Sequence, residues 1–426
     1  MIMTSKKYTL FETFVGAGGS HIGFKQAGFI SVYANDNEQS CLDTLVLNNP
    51  ELNQTTLLDN SSILDIDPKK LFQKLGYSKG EIDVFFGGIV CKGFSLAGER
   101  SPNDERNYFY HKQLDLVKSF MPKISVIENV PGIRNAKVLS KNTPQKIKEN
   151  VDKIWQDIEN YKGGKANLRK LNKVTEEVEK KGIELRRKKT EIIKELEEKG
   201  YLISVLDDIK MIYNELGYNV SYEVLNTAWY GASTKRERVV IVATRKDLKG
   251  DFHFPTPIYN SEEIKTKLFN KEHTKLKFKK PITINEAFKK IDYSDKDDID
   301  NQPMNHSEKT VRRFKYIPAG DNISNHIDNV PDDLKISKFY SRGNTMRLSG
   351  EKLSPTLVPG HSNFPVHPTE HRSITVREAA TITGFPIDYK FIGTHTKRCE
   401  HVGNAVPPPL AKAIAESCKE FLDKQK

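Results

Sequence analysis

The first 130 residues alternate short apolar stretches with segments long enough to form helices. The stretches Tyr8–Phe14, Phe29–Ala34, Ile82–Phe86 and Ile124–Ile127 are rich in aromatic and β-branched residues. Strands separated by helix-length segments predict a parallel, doubly wound sheet. Because ligands of such sheets bind where the strands end, we expect the functional residues directly after these four stretches.

Composition narrows the class of protein. Lysine and arginine outnumber acidic residues by 67 to 56, which gives a net charge of +11. A basic surplus is typical of proteins that bind a polyanion, although general solubility explains it equally well at this stage. The sequence has no run of about 18 apolar residues, so we expect no membrane span. It also has no N-terminal apolar run of the kind that predicts secretion. The four cysteines lack metal-ligand spacing, so we expect neither a disulfide framework nor a zinc finger. The compartment expected for such a chain is a reducing cytoplasm.

A glycine-rich turn follows the first predicted strand. Gly16, Gly18 and Gly19 in FVGAGG would let a cofactor approach the backbone and the N-terminus of the next helix. Turns of this kind also occur where a helix merely packs on a strand. Asp36, at the end of the second predicted strand, suits a pair of ribose hydroxyl groups.

Reactive and charged side chains follow the later strands. Cys91 lies in the glycine-flanked loop GGIVCKGFS after the third strand, where Lys92 would favour its thiolate. Glu128 ends the fourth strand and should therefore face the same cleft. Arg236 and Arg238 alternate before the apolar run VVIVA, so both point to one side, as an oxyanion or phosphate clamp requires.

Six motifs stand in order along the chain: FETFVGAGG, GGIVCKGFS, ENVPGI, KRERVVIV, RSITVREAATITGFP and GNAVPPPLAKAI. In this order they resemble the DNA (cytosine-5) methyltransferase family of bacterial restriction–modification systems. The resemblance implies an α/β fold with a Rossmann-like mixed sheet that binds S-adenosylmethionine, and a smaller target-recognition domain. Double-stranded DNA would lie in the cleft between the two.

The resemblance also implies roles for individual residues. Cys91 matches the nucleophile, Glu128 the residue that grips the target base, and Arg236 and Arg238 the cleft arginines. A flipped-out cytosine in a specific duplex sequence would be methylated at C5 through a covalent adduct of Cys91 with C6, leaving S-adenosylhomocysteine. No metal is expected. The residues that match cofactor positions are Phe14, Gly16, Gly18, Gly19, Asp36, Asn37, Ser62, Ile63, Val90, Asn404 and Val406.

Three positions depart from the family pattern. Val90 stands where proline usually precedes the cysteine, and proline would stiffen the loop. Ser62 stands where an aspartate usually binds the adenine amino group, and Thr234 replaces a common glutamine. Because the residues of the chemistry are intact, we expect an active enzyme.

The resemblance predicts a domain organisation that is discontinuous in sequence. Residues 1–245 and 400–426 would form the catalytic domain, and 246–399 the target-recognition domain and hinge. We expect Ser95, Arg342 and Arg347 to contact DNA. Further candidates for DNA contact are His306, Arg312, Arg313 and the glycines around Gly343 and Gly360, whereas Arg372, Arg377 and Glu378 are interpreted as structural.

Residues 145–199 differ from the rest of the catalytic domain, because they are rich in Lys, Glu, Ile and Leu and contain no proline. Leu171, Val178, Leu185 and Ile192 recur every seven residues, a weak coiled-coil pattern. We predict an antiparallel helical hairpin that turns at the pair Gly163-Gly164. A structural arm is the simplest interpretation, and contact with a partner or with the DNA backbone stays open.

The protein is expected to act as a monomer on DNA in the bacterial cytoplasm, with no membrane partner. A tRNA cytosine-5 methyltransferase of the same family is one alternative. A catalytically impaired DNA-binding homologue is another, with Val90 and Ser62 as its support. A nicotinamide oxidoreductase would explain the glycine turn but would leave Cys91, Glu128 and the arginine pair unexplained together.

Overall fold

The computed structural model describes residues 7–89, 101–104, 109–171, 173–265, 277–337 and 342–425. Its centre is a seven-stranded sheet in the order β3-β2-β1-β4-β5-β9-β8. Strands β1 to β5 are parallel, whereas β9 runs antiparallel to both β5 and β8, which confirms the predicted mixed sheet. These strands are β1 (Thr9–Thr13), β2 (Ile30–Asn35), β3 (Leu57–Asp59), β4 (Val84–Gly88), β5 (Ile124–Asn129), β8 (Tyr218–Asn226) and β9 (Glu237–Arg245).

Two further strands, β6 (Lys137–Leu139) and β7 (Leu202–Ser204), form a separate antiparallel pair. Helices flank the large sheet and connect its strands. Their bounds are α1 (Gly19–Gln26), α2 (Gln39–Asn48), α3 (Leu52–Thr55), α4 (Pro68–Leu75), α5 (Phe109–Phe120), α6 (Gln145–Lys170), α7 (Glu176–Glu198), α8 (Val205–Glu215), α9 (Ile284–Phe288), α10 (Glu308–Phe314), α11 (Val376–Thr383), α12 (His395–Asn404) and α13 (Pro408–Asp423). Over the described ranges, none of them combines the length and the apolar character needed to cross a membrane.

The central strands are covered on both faces, which explains their nearly continuous apolar sequences. On one face the ring of Phe11 stacks on that of Phe85 with centroids 4.6 Å apart. On the other face Phe24 packs edge-on against Phe86 at 5.4 Å. Helix α13 lies against α1 so closely that a Cβ atom at Gly23 would be 2.3 Å from the backbone nitrogen of Lys412. The last helix therefore packs against the large sheet beside α1.

The region after β9 supplies most of the residues of two apolar clusters. The larger one joins residues between 284 and 405 to Ala17 and Ile22, which belong to the glycine turn and α1. The smaller one is built from residues 314–366, with Phe314 and Val366 among its buried members. The predicted target-recognition segment therefore packs in part directly on the glycine turn and α1. The division into two domains stays a prediction.

The insert is the predicted antiparallel hairpin, but the predicted position of its turn is wrong. Helix α6 continues through Gly163 and Gly164 to Lys170, and the chain reverses between α6 and α7. Glycine inside a helix costs only about 1 kcal/mol relative to alanine, so two glycines need not end one. Leu171 falls in the turn and is 64% exposed, whereas Leu185 and Ile192 are buried as the heptad pattern predicted.

Candidate active site

Four parallel strands end at one edge of the sheet and bring the predicted site residues together there. Thr13, the last residue of β1, lies beside Asn35 of β2 and Gly87 of β4. In the next pair Gly88 lies beside Glu128 of β5. The glycine turn, Asp36, the segment leading to Cys91 and the Glu128 motif therefore all leave the sheet at the same edge.

The glycine turn is tied to the end of β2 by the carboxylate of Asp36. The backbone N–H of Gly16 donates to Asp36 Oδ2 at 2.9 Å, and that of Glu38 donates to Oδ1 at 3.0 Å. Burial raises the pKa of the Asp36 carboxyl, and the two N–H groups oppose this. Phe14 and Gly16 both have φ near 54°, which turns the chain sharply between β1 and α1.

The three predicted cofactor glycines serve different purposes. A Cβ atom at Gly16 would meet nothing within 4 Å, so the turn is open there. At Gly18 it would lie 2.6 Å from the hydroxyl of Tyr389, and at Gly19 it would lie 2.2 Å from the carbonyl oxygen of Val406. Gly18 and Gly19 are thus required by packing against the C-terminal part of the chain, and Gly16 leaves space for a ligand.

Glu128 is almost completely enclosed, with 6% of its surface exposed. Arg238 Nε lies 2.7 Å from Glu128 Oε1, an ion pair that does not have the geometry of a hydrogen bond. A Cβ atom at Gly88 would be 3.5 Å from Glu128 Oε2, 3.5 Å from Val406 Cγ2 and 3.8 Å from the carbonyl oxygen of Phe14. The glycine turn, the Glu128 motif and the GNAVP motif therefore border one small space that a side chain at Gly88 would enter.

The two arginines of the pair contact different partners. Arg238 lies on β9 and Arg236 directly precedes that strand; both are buried, and Arg238 contacts Glu128. Arg236 Nη1 instead donates to the carbonyl oxygen of Gly403 at 2.6 Å and so supports the GNAVP motif. In that motif Asn404 is exposed and Val406 is buried. The two guanidinium groups thus hold two separate parts of the site, and their joint action as an oxyanion or phosphate clamp stays a prediction.

The chain segment that leads to the predicted nucleophile is held by Asn129. Its side-chain amide donates to the carbonyl oxygen of Ile89 at 3.4 Å, and its side-chain oxygen accepts from the N–H of Val130 at 2.8 Å. The exit of β4 is thereby held beside the end of β5. The predicted site residues Val90, Cys91 and Ser95 lie outside the described residues.

The predicted adenine side of the cofactor site lies beyond β3. Ser62 Oγ accepts from the N–H of Leu64 at 3.3 Å in a local turn, and Ile63 is buried. Asn37, beside Asp36, is exposed. The segment after β3 is held by Asn35, whose side-chain amide donates to the carbonyl oxygens of residues 59 and 61 at 2.9 and 2.8 Å.

Sequence reasoning missed several residues that build this edge. Tyr389 donates from its hydroxyl to the carbonyl oxygen of Ala17 at 2.7 Å and so closes the glycine turn. Glu12, fully buried in β1, accepts from Ser20 Oγ at 2.9 Å and lies 3.0 Å from His21 Nδ1. A carboxylate inside an otherwise apolar strand is a signal that the sequence offered, because buried polar groups need partners.

The two described arginines predicted to bind DNA differ in their surroundings. Arg342 is exposed and donates to Ser362 Oγ at 2.6 Å. Arg347 is 4% exposed, which corrects its prediction as a DNA contact. A guanidinium enclosed by five acceptors organises the recognition segment from within. These acceptors are Phe314 O, Ile317 O, His367 O, Glu370 O and His371 Nδ1, at 2.6–3.0 Å.

The structural interpretation of the fifth motif is confirmed. Arg372 pairs with Glu378, which also caps the N-terminus of α11, and Arg377 pairs with Asp298. His306 accepts from the backbone N–H of Ser373 at 3.2 Å. In the part of the chain that the structure describes, no three His, Cys, Asp or Glu side chains are grouped so that they could hold a metal ion.

A sequence model of the C-5 cytosine-specific DNA methylase family matches residues 8–163 and 186–420. The chain belongs to this family. It is therefore an enzyme that transfers a methyl group to C5 of cytosine in double-stranded DNA, with S-adenosylmethionine as the methyl donor. The match spans every element of the sheet edge described above and leaves out only the outer part of the helical hairpin and the two ends of the chain.

Characterised relatives match along nearly the whole chain. The type II methyltransferase M1.HphI of Haemophilus parahaemolyticus is 28% identical, over 96% of this chain and 86% of its own length. The type II methyltransferase M.Eco47II of Escherichia coli is 25% identical, over 99% and 81% respectively. A candidate DNA modification methyltransferase from an E. coli prophage has the same fold, with a TM-score of 0.58, 21% identity, and coverage of 98% of this chain and all of its own.

Proposed function

We propose that this methyltransferase acts through Cys91 as nucleophile, Glu128 as the residue that holds the target cytosine, and Arg238 as the residue that positions Glu128. The observation that carries the proposal is the 2.7 Å contact between Arg238 and Glu128 beside Gly88 and Val406. It supports a site in which one carboxylate oxygen is held by the protein while the other borders the space next to the segment that carries Cys91.

The residues at the sheet edge fit S-adenosylmethionine. Gly16 leaves open space at the glycine turn, and the carboxylate of Asp36 lies directly behind that turn. Phe14 and Val406 would hold the methyl-bearing end, and Asp36 the ribose, while Ser62 and Ile63 lie toward the adenine. When bound, S-adenosylmethionine supplies an electrophilic methyl group and leaves as S-adenosylhomocysteine. No metal takes part in the proposed chemistry.

The chemistry of cytosine explains why a thiolate and a carboxyl group are needed together. C5 of cytosine is a poor nucleophile, and addition of the Cys91 thiolate at C6 makes it electron-rich. Glu128 hydrogen-bonds N3 and the exocyclic amine and stabilises the charge that develops there. Loss of the C5 proton and elimination of Cys91 then restore the ring. C6 is inaccessible in a base stack, so the cytosine is flipped out at a cost of a few kcal/mol.

The other cysteines support Cys91 as the nucleophile. Cys41, Cys399 and Cys418 are all buried, and burial raises the pKa of each of these thiols. A thiolate is disfavoured at all three positions. Cys91 instead follows a strand at the edge where Glu128 lies, with Lys92 next to it.

The relatives suggest the biological setting. We propose that the protein modifies a specific duplex sequence within a restriction–modification system, as a monomer in the bacterial cytoplasm. The exposed Arg342, together with Ser95, is proposed to contact DNA.

The substrate class is tested with two acceptors in parallel. The protein is incubated with methyl-labelled S-adenosylmethionine and either unmethylated duplex DNA or tRNA. We expect label in the DNA and none in the tRNA, because the match is to DNA methylases and a long recognition segment follows β9. Label in tRNA alone would overturn the proposal that DNA is the substrate, in favour of the RNA-directed alternative. Label in neither acceptor would overturn the proposal that the protein is an active methyltransferase.

A further inference from the structure

The helical hairpin separates its charges along its length. We define the distal arm as residues 160–189 and the root as residues 145–159 with 190–199. The distal arm carries eleven lysines and arginines against four glutamates, and the root carries five lysines against eight acidic residues. The distal arm thus has a net charge of +7 within a chain whose total is +11, and the root is negative at −3. Between residues 160 and 175 there is no acidic residue at all.

The apolar cluster of the hairpin lies in its root. The root encloses an apolar cluster that includes Val151, Trp155 and Leu196. In the distal arm the helices meet closely at Gly182, where a Cβ atom would be 2.2 Å from the hydroxyl of Tyr161, and Leu185 is buried nearby. Most of its basic side chains are exposed. The exposed ones are Lys162, Arg169, Lys170, Lys173, Lys180, Lys181, Arg186, Arg187 and Lys188.

The arm starts at the catalytic edge of the sheet. Strand β6, which leads into α6, follows the Glu128 motif after a single short 3-10 helix. The side-chain amide of Asn103 donates to both carboxylate oxygens of Asp152 in the root, at 3.0 and 2.9 Å, and the N–H of Leu139 donates to the carbonyl oxygen of Pro102 at 3.3 Å. The root therefore contacts two segments of the chain. One lies on the C-terminal side of Cys91 and the other follows Glu128.

The length of the hairpin is close to one turn of duplex DNA. Helix α6 has 26 residues, so at 1.5 Å per residue it is about 39 Å long. At 3.4 Å per base pair this corresponds to about 11 base pairs of duplex. The family match omits residues 164–185, so most of the distal arm is an addition to the part of the chain that matches the family.

We propose that the distal arm binds the phosphate backbone of the duplex outside the base pairs held in the catalytic cleft. The inference rests on the proposed function, because it takes the DNA substrate as given. The arm exposes nine cations and two large apolar side chains, Leu171 and Ile183. A surface dominated by cations is suited to phosphate contacts, whereas protein interfaces rely on buried aromatic and apolar anchors. The arm would add affinity and a longer footprint without adding sequence specificity.

Two variants of equal charge test the proposal. The distal variant replaces Arg169, Lys170, Lys173 and Lys181 by glutamine. The control replaces Lys146, Lys148, Lys153 and Lys194 of the root by glutamine. Affinity is measured by fluorescence anisotropy with random-sequence duplexes of about 12 and about 30 base pairs across a series of salt concentrations, since each phosphate contact contributes about 0.9 to the slope of log K against log salt.

We expect the distal variant to bind the long duplex at least about 10-fold more weakly at low salt and with a slope smaller by about 2 to 4. Its binding to the short duplex and its methyl transfer to a short substrate should change little, and the root control should resemble the wild type. Equal losses in both variants would show a general charge effect and overturn the proposal. Unchanged binding of the distal variant to the long duplex would also overturn it, in favour of an acidic protein partner. Failure of the proposed function is distinguishable, because it would remove methyl transfer from the wild type itself.

Discussion

Replacing Cys91 by serine is expected to reduce methyl transfer to DNA by more than about 1,000-fold, to the limit of detection. A serine hydroxyl has nearly the same size, but it is not ionised near neutral pH and does not add to C6 of cytosine. DNA binding should be retained, because neither the recognition segment nor the charge of the protein changes. Initial rates with labelled S-adenosylmethionine and a duplex substrate measure the loss.

Cys418→Ala is the matched control. Cys418 is buried in α13, and burial raises the pKa of its thiol. We expect this variant to lose some stability and to keep the rate per folded molecule. Transfer that persists at the full rate in Cys91→Ser would exclude the covalent mechanism, and a comparable loss in both variants would show that the effect is not specific to Cys91.

Removing the carboxylate of Glu128 is expected to produce the next largest loss. Glu128→Gln should lower kcat by about 100- to 1,000-fold, the usual effect of losing one preorganised group that stabilises developing charge. Arg238→Met should lower kcat by at least about 10-fold, because it frees the oxygen that Arg238 holds at 2.7 Å. If Arg238 acts through Glu128, the double variant should be no slower than Glu128→Gln alone.

Arg236→Met separates this positioning role from general disruption of the site. Its guanidinium supports the carbonyl oxygen of Gly403 rather than Glu128. We therefore expect Arg236→Met to raise the KM for S-adenosylmethionine and to combine additively with Glu128→Gln. If the losses from Arg238→Met and Glu128→Gln multiplied, Arg238 would have a role independent of Glu128, such as contact with DNA.

Much of the fold was predictable because its strands are buried on both faces. Strands such as β4 (VFFGG) therefore have apolar residues at consecutive positions, and the edge where the parallel strands end follows from the topology of the sheet. The helical hairpin was predictable from composition, but its turn was not. Gly163 and Gly164 lower the stability of a continuous helix only slightly, so they need not end it. The position of the turn depends instead on packing between α6 and α7.

The candidate site was predictable in its residue types and less so in its contacts. Arg236 and Arg238 lie two residues apart and were predicted to point to one side, yet they contact different partners. The reason is that the GNAVP motif, which Arg236 contacts, comes from the far end of the chain. Arg347 looked like a DNA contact because nothing in the local sequence shows that the chain folds around it. Tyr389 closes the glycine turn from more than 370 residues away. Such contacts depend on tertiary structure, which local patterns do not record.

The central claim is that this chain methylates C5 of cytosine in DNA, and identification of the modified nucleoside tests it most directly. Unmethylated duplex DNA is incubated with the protein and S-adenosylmethionine, digested to nucleosides and analysed by mass spectrometry against standards. We predict 5-methyl-2′-deoxycytidine as the methylated product, and its absence with Cys91→Ser. A product methylated on the exocyclic amine of cytosine or adenine, or the 5-methyl product formed undiminished by Cys91→Ser, would contradict the account.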